Sequence, residues 1–135
     1  MEDLEQLVEE FGARTCPASA EDISSLGKKL GFTLSDEYKR FLSTYGVILY
    51  RSNETYGLGV PEDYYLNVLS KHADLSRDPT YPKSSVPLLE VGDGQYYLYD
   101  NINRKVLLWA TPHGGIVKTT DDMLEPFLIK YLFRE

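Results

Sequence analysis

Few residues of this chain could do chemistry, and their spacing limits what that chemistry is. His72 and His113 are the two histidines, and neither has a second metal ligand at helical spacing. Zinc draws on three or four Cys or His ligands, which a chain with the single cysteine Cys16 does not readily supply. His113 stands beside Gly114-Gly115 and reads as a turn residue rather than a general base. His72 falls on or near an apolar stripe and is expected to be packed or partly solvated. Cys16 precedes Pro17, outside any cysteine-protease or redox motif, and reads as a small buried hydrophobe. Gly57-Leu58-Gly59 and Gly92-Asp93-Gly94 are fragments of phosphate-binding patterns, but neither opens a helix with the further glycine or Gly-Lys-Ser/Thr that the chemistry needs. The acid pairs Glu62-Asp63 and Asp121-Asp122 sit where helices are expected to start, and the helix dipole explains acids there without a divalent ion. The expectation is a chain without a catalytic constellation, a cofactor or a metal site.

Tyrosine and acid point to binding instead. Eleven of the aromatic residues are tyrosines, against five Phe and one Trp. A tyrosine brings a large ring, a polar tip and little rotamer entropy, which suits an interface. Tyr38, Tyr45, Tyr97 and Tyr99 fall on apolar stripes and are expected at the edge of the core, whereas Tyr56, Tyr64 and Tyr81 lie in glycine, acidic or proline contexts that favour exposure. The formal net charge is −7, and residues 1–10 carry Glu2, Asp3, Glu5, Glu9 and Glu10 with no base. Phosphate backbones need clustered Lys and Arg, so no direct nucleic-acid partner is expected. A basic protein surface is compatible with this balance.

The elements that must position these residues follow from periodicity. With 135 residues, 42% hydrophobic and 26% charged, the chain is expected to form one domain with its own core. An acidic N-terminus without the start of a signal peptide, the lone cysteine, and no apolar run near the ~20 residues of a membrane span lead to a cytoplasmic location as the default. Leu4, Leu7, Val8 and Phe11 predict an acidic amphipathic helix within residues 1–12, stopped by Gly12. After a connector at 15–18, Ser19 and Asp22 predict the start of a second helix, striped by Ile23, Leu26 and Leu30 and ended by Gly31. Ser35 caps a third helix with Tyr38, Phe41, Leu42 and Tyr45 inward, ended by Gly46.

Beyond Gly46, residues 47–50 and 55–60 read as short strands around a polar turn. Residues 64–75 fit two readings, since Tyr65, Val68, Leu69 and His72 share a helical stripe while the tyrosines would also suit a strand; a helix starting near Glu62 is the favoured one, before a loop at 78–85. Residues 86–91, 95–100, 105–110 and 116–119 predict four strands joined by short reversals, hence an antiparallel meander. Both alternating faces of 96–99 and 106–109 are apolar, so those strands should be central and covered on each side. A last helix is expected from about Glu125, because Pro126 is tolerated only in a first turn. The class is α+β, with a central, mainly antiparallel sheet of about six strands and N- and C-terminal helices packed against it.

The order of these pieces resembles the SUKH superfamily of Smi/Knr-like proteins. The residues carrying the likeness are Ile23 to Gly31, the link Phe32-Thr-Leu-Ser35, and the tyrosine-containing helix Asp36 to Gly46. Val86 to Asp100, with its Gly-rich turn, then Lys105 to Trp109 and the terminal Phe127-Leu128 continue it, so that roughly residues 20–132 are covered. Ser35 stands where the family often has proline. The resemblance implies an immunity protein that binds and neutralises a cognate toxin domain, expected to be a nuclease, by protein–protein contact and without catalysis. The alternative it implies is a regulatory interaction module of the Smi/Knr type. The expected partner-binding residues are Glu54, Tyr56, Glu62, Asp63, Tyr64 and Tyr81, in the turns around the first hairpin, the following helix and the proline-rich loop.

Overall fold

The computed structural model describes residues 3–112 and 114–133. His113 therefore lies outside the described residues, as does Glu2 at the start of the expected first helix.

Helix α1 (Leu4–Phe11) begins where the Asp3 side chain accepts from the Gln6 N–H, and it ends in a left-handed Gly12. Helix α2 (Ala20–Leu30) starts at Ser19, whose Oγ accepts from the Asp22 N–H at 3.1 Å. Helix α3 (Asp36–Thr44) starts at Ser35, whose Oγ accepts from the Tyr38 N–H at 3.0 Å. Each cap satisfies an N–H that the first helical turn leaves without a partner. The apolar stripes point inward as their spacing requires: Leu4, Leu7, Ile23, Leu26, Tyr38, Phe41, Leu42 and Tyr45 are all buried. Phe11 is the exception at 45% exposed, and its ring stacks at 5.5 Å on Phe133.

The strands form two antiparallel sheets. The smaller joins β1 (Arg14–Thr15), β2 (Ile48–Tyr50) and β3 (Asn53–Glu54) in that order. The larger is a meander of β4 (Ser85–Gly92), β5 (Gln95–Asp100), β6 (Lys105–Ala110) and β7 (Gly115–Thr119). A single bridge between Thr55 and Leu89 links the two sheets. Pairing is in register along β5 and β6, from Gln95 opposite Ala110 to Asp100 opposite Lys105. Both faces of the central strands β5 and β6 are covered, whereas the edge strand β7 is exposed along most of its length. On one face Tyr99 stacks on Tyr38 of α3 at 5.7 Å, and Tyr97 meets Phe127 at 4.7 Å. On the other, Tyr96 and Trp109 pair across the strands, and Tyr81 stands edge-on to Trp109 at 5.1 Å. The buried Trp109 ring donates its Nε1–H to Thr80.

Three expectations need correction. The connector at 15–18 contains part of β1, because Thr15 pairs with Ile48. The partner of β2 is Asn53–Glu54, and residues 55–60 are not a regular strand. Those residues divide their backbone bonds among several neighbours: the Thr55 N–H goes to Ile48 O, Tyr56 to Leu88 O, Gly57 to Leu66 O and Leu58 to Gly46 O. The fourth helix, α4 (Val68–Leu75), starts six residues after Glu62, since the Asn67 side chain caps it by accepting from the Ser70 N–H. The C-terminal helix α5 (Leu124–Leu128) holds Pro126 in its first turn and widens into a π-helical turn, Ile129–Phe133.

Candidate functional site

The stretch from β3 up to α4 carries five of the six expected contact residues. It is anchored at both ends. Thr55 is fully buried, and its Oγ1 accepts from the Ile48 N–H at 2.8 Å. At the far end the Val68 N–H donates to Gly57 O at 2.8 Å, and the Asn67 Nδ2 reaches Val60 O at 3.3 Å. Gly57 is required here, since a Cβ would stand 1.6 Å from the Gly46 carbonyl oxygen. Between these anchors the chain folds into tight turns, with the Tyr64 N–H on Pro61 O and the Asn67 N–H on Tyr64 O.

These anchors bring a compact group to the surface. The rings of Tyr64 and Tyr65 meet at 4.8 Å, and they are 37% and 58% exposed. The Tyr65 hydroxyl donates to the Glu54 carboxylate, and this bond holds the phenol proton more tightly than usual, raising its pKa. Glu54, Tyr56, Tyr65, Glu90 and Val91 line a hollow of about 240 Å³. Glu62 and Asp63 are exposed beside the two tyrosines, and Glu62 stands 4.0 Å from Lys29. That pair is solvent-exposed on both sides and contributes about 0–1 kcal/mol.

Two expected residues depart from exposure. Tyr56 is buried at 4% exposed, because its N–H is tied to Leu88 O and its ring lies under Lys71 Nζ at 5.8 Å. Burial first, then the Glu90 carboxylate, pushes its hydroxyl pKa up. Tyr81 is half-buried and lies elsewhere, between His72 and Trp109, with its hydroxyl donating to Ser85 O at 2.8 Å. Tyr81 is thus a packing residue beneath the sheet. Proline on both sides of its loop suggested exposure, but an edge-on aromatic contact and a carbonyl partner make burial favourable.

Sequence reasoning missed Tyr65 and Glu90. Tyr65 shares a helical stripe with Val68 and Leu69, but the helix starts three residues after it. Glu90 is the first exposed residue after the buried run 85–89, and the only signal for it is a lone acid in an otherwise apolar strand.

The site offers carboxylates, phenols and a few apolar atoms. Among the described residues, no three His, Cys, Asp or Glu come together as a metal site. Asp122 is paired with Lys130 at 3.1 Å, and Asp121 stands 3.7 Å from Lys105. Among the described residues no helix is long and apolar enough to cross a membrane.

The molecule is thus an α+β domain in which a covered meander supports a short, irregular, acidic and tyrosine-bearing surface. Residues 20–128 match the family SUKH_6, described as SMI1-KNR4 cell-wall, and the chain belongs to this family of the SUKH superfamily. A crystal structure of a protein from Pseudomonas syringae pv. tomato shares the fold, with a TM-score of 0.66 and 20% identity over 90% of this chain and 89% of that one. Among curated proteins, none matches this chain.

Proposed function

We propose that this chain is an immunity protein that binds and neutralises a cognate toxin domain, with a nuclease as the expected target, acting in the cytoplasm by protein–protein contact and without catalysis. Membership of the SUKH superfamily supports the class. The observation that carries the reading is the contact of Glu54 with Tyr65 and of Tyr65 with Tyr64, with Glu90 on the same hollow as Glu54 and the exposed Glu62 and Asp63 next to Tyr64 in the chain. A nuclease presents a basic cleft to its phosphate substrate, and carboxylates set on a rigid support compete for that cleft. Long-range attraction between the two surfaces speeds encounter and weakens with salt. Tyr64 and Tyr65 are held in place by one another and by Glu54, so ordering them at an interface costs little entropy.

Co-expression with the toxin encoded beside this gene tests the reading. Restored growth and a co-purifying complex are expected, with Glu54→Lys plus Glu90→Lys lowering the association rate. Unaltered toxicity with no complex would sink it. Unaltered toxicity together with capture of a non-toxin partner through the same surface would identify a regulatory interaction module instead.

A further inference from the structure

Helix α2 separates two surfaces of opposite character. Asp22, Ser25 and Lys29 face the side that also holds Glu62, whereas Ile23, Gly27 and Lys28 line a groove against α3. That groove has a volume of about 800 Å³, and its floor is apolar, with Ile23 and Leu34 buried and Phe32 half-buried. Its charged lining is Lys28, Lys39 and Arg40, all exposed, and no acid lines it. None of the three bases forms an ion pair among the described residues, whereas Lys29, Lys71, Lys105 and Lys130 all do. In a chain with 21 acids and 14 bases, a groove whose charged lining is wholly basic runs against the overall balance, and Arg40 also borders the neighbouring hollow that holds Asp36, Glu37 and Glu125.

We propose that this groove is a second docking surface, which takes an acidic segment of a partner protein that carries an apolar anchor side chain. The apolar floor provides the area that an anchor buries, at roughly 25 cal/mol per Å². The three cations set the sign of the flanking residues and reject basic ones. A nucleic acid fits less well, because a phosphate backbone wants bases along a track, and the net charge of −7 repels it beyond the groove. The proposal does not rest on the toxin reading, whose surface lies across α2 and has the opposite sign.

Gly27 makes the test clean. It sits inside α2, and an added Cβ would meet only Leu34, with Cγ at 4.0 Å. The Cβ of Gly27→Leu is therefore accommodated beside the groove floor, its branched end adds bulk there, and the substitution improves helix propensity by roughly 1 kcal/mol. The probe is a fluorescein-labelled peptide of Glu, Asp, Leu and Phe, read by anisotropy on the full chain, with a counterpart carrying Lys for every acid. Saturable, salt-sensitive binding of the acidic peptide alone is expected. Gly27→Leu and the double variant Lys28→Glu, Lys39→Glu should each weaken it by about tenfold or more, and Glu54→Lys should leave it unchanged. Absence of binding, equal binding of the Lys peptide, indifference to both groove variants, or displacement of the peptide by an RNA hairpin would overturn the proposal.

Discussion

The meander over residues 85–119 and the segment over residues 53–67 lie against one another, joined at Thr55 and Leu89, yet they are held by different means. In the meander, backbone bonds run in ladders, and the side chains of β5 and β6 alternate between two covered faces. In the segment each residue finds a different partner: Ile48, Leu88, Leu66 and Gly46 accept in turn from residues 55–58. A ladder repeats, so any strand of the right pattern completes it. An irregular segment depends on individual close approaches, and it can in return place side chains where no strand would. The difference explains why the candidate site lies on the second region, while the first contributes more to the core.

Loss of the buried tryptophan of the meander should have the largest effect on stability. Trp109→Ala should cost about 3–5 kcal/mol, read as a lower urea midpoint, because it empties a fully buried site and frees the Thr80 acceptors. Gly57→Ala attacks the segment at its tightest approach. The 1.6 Å encounter with Gly46 O requires a backbone shift, so destabilisation of about 3 kcal/mol is expected, with a loss of partner binding that Trp109→Ala does not single out. Ser35→Ala weakens the link between α3 and the meander, since its Oγ caps the helix and lies 2.7 Å from the Tyr99 hydroxyl. A loss of about 1–2 kcal/mol in the same urea assay would fit a single cap shared by both.

Two smaller effects sharpen the boundary. His72 packs between Phe32 and Tyr81, and burial lowers its pKa below the ordinary value near 6.5. The unfolded chain then takes up the proton first, so stability should fall as pH drops below about 6.5 and level off once the folded imidazole is also charged. Thermal melts across that window should show a shallower slope in His72→Gln. Tyr65→Phe removes only the bond to Glu54, and stability should change by no more than about 0.5 kcal/mol. Slower association with a basic partner in a stopped-flow measurement, alongside unchanged melting, would separate the site from the scaffold.

The meander and the first three helices were readable because their signals are local. Ser19, Ser35 and the Gly12 and Gly31 stops act within one helical turn, and the β5 and β6 alternation acts within a strand. Residues 55–67 were misread for the opposite reason. Thr55 to Val60 has strand composition, but its hydrogen bonds go to residues scattered over the chain, and no sequence window contains them. Tyr65 was mistaken for a helical core residue and Tyr81 for a surface residue, because a stripe or a flanking proline says nothing of the neighbour that covers it.

By itself the sequence determined the class of fold, the family likeness, and the excess of acid and tyrosine over catalytic residue types. Periodicity, caps and residue counts are properties of the chain. Only the tertiary structure decided which tyrosines are buried, that Glu54 and Tyr65 meet, and that Lys28, Lys39 and Arg40 share one groove. Those juxtapositions are made by long-range closures at Gly57 and Thr55, where the cost of bringing distant backbone together is met by burial and hydrogen bonds that exist only once the whole core has formed.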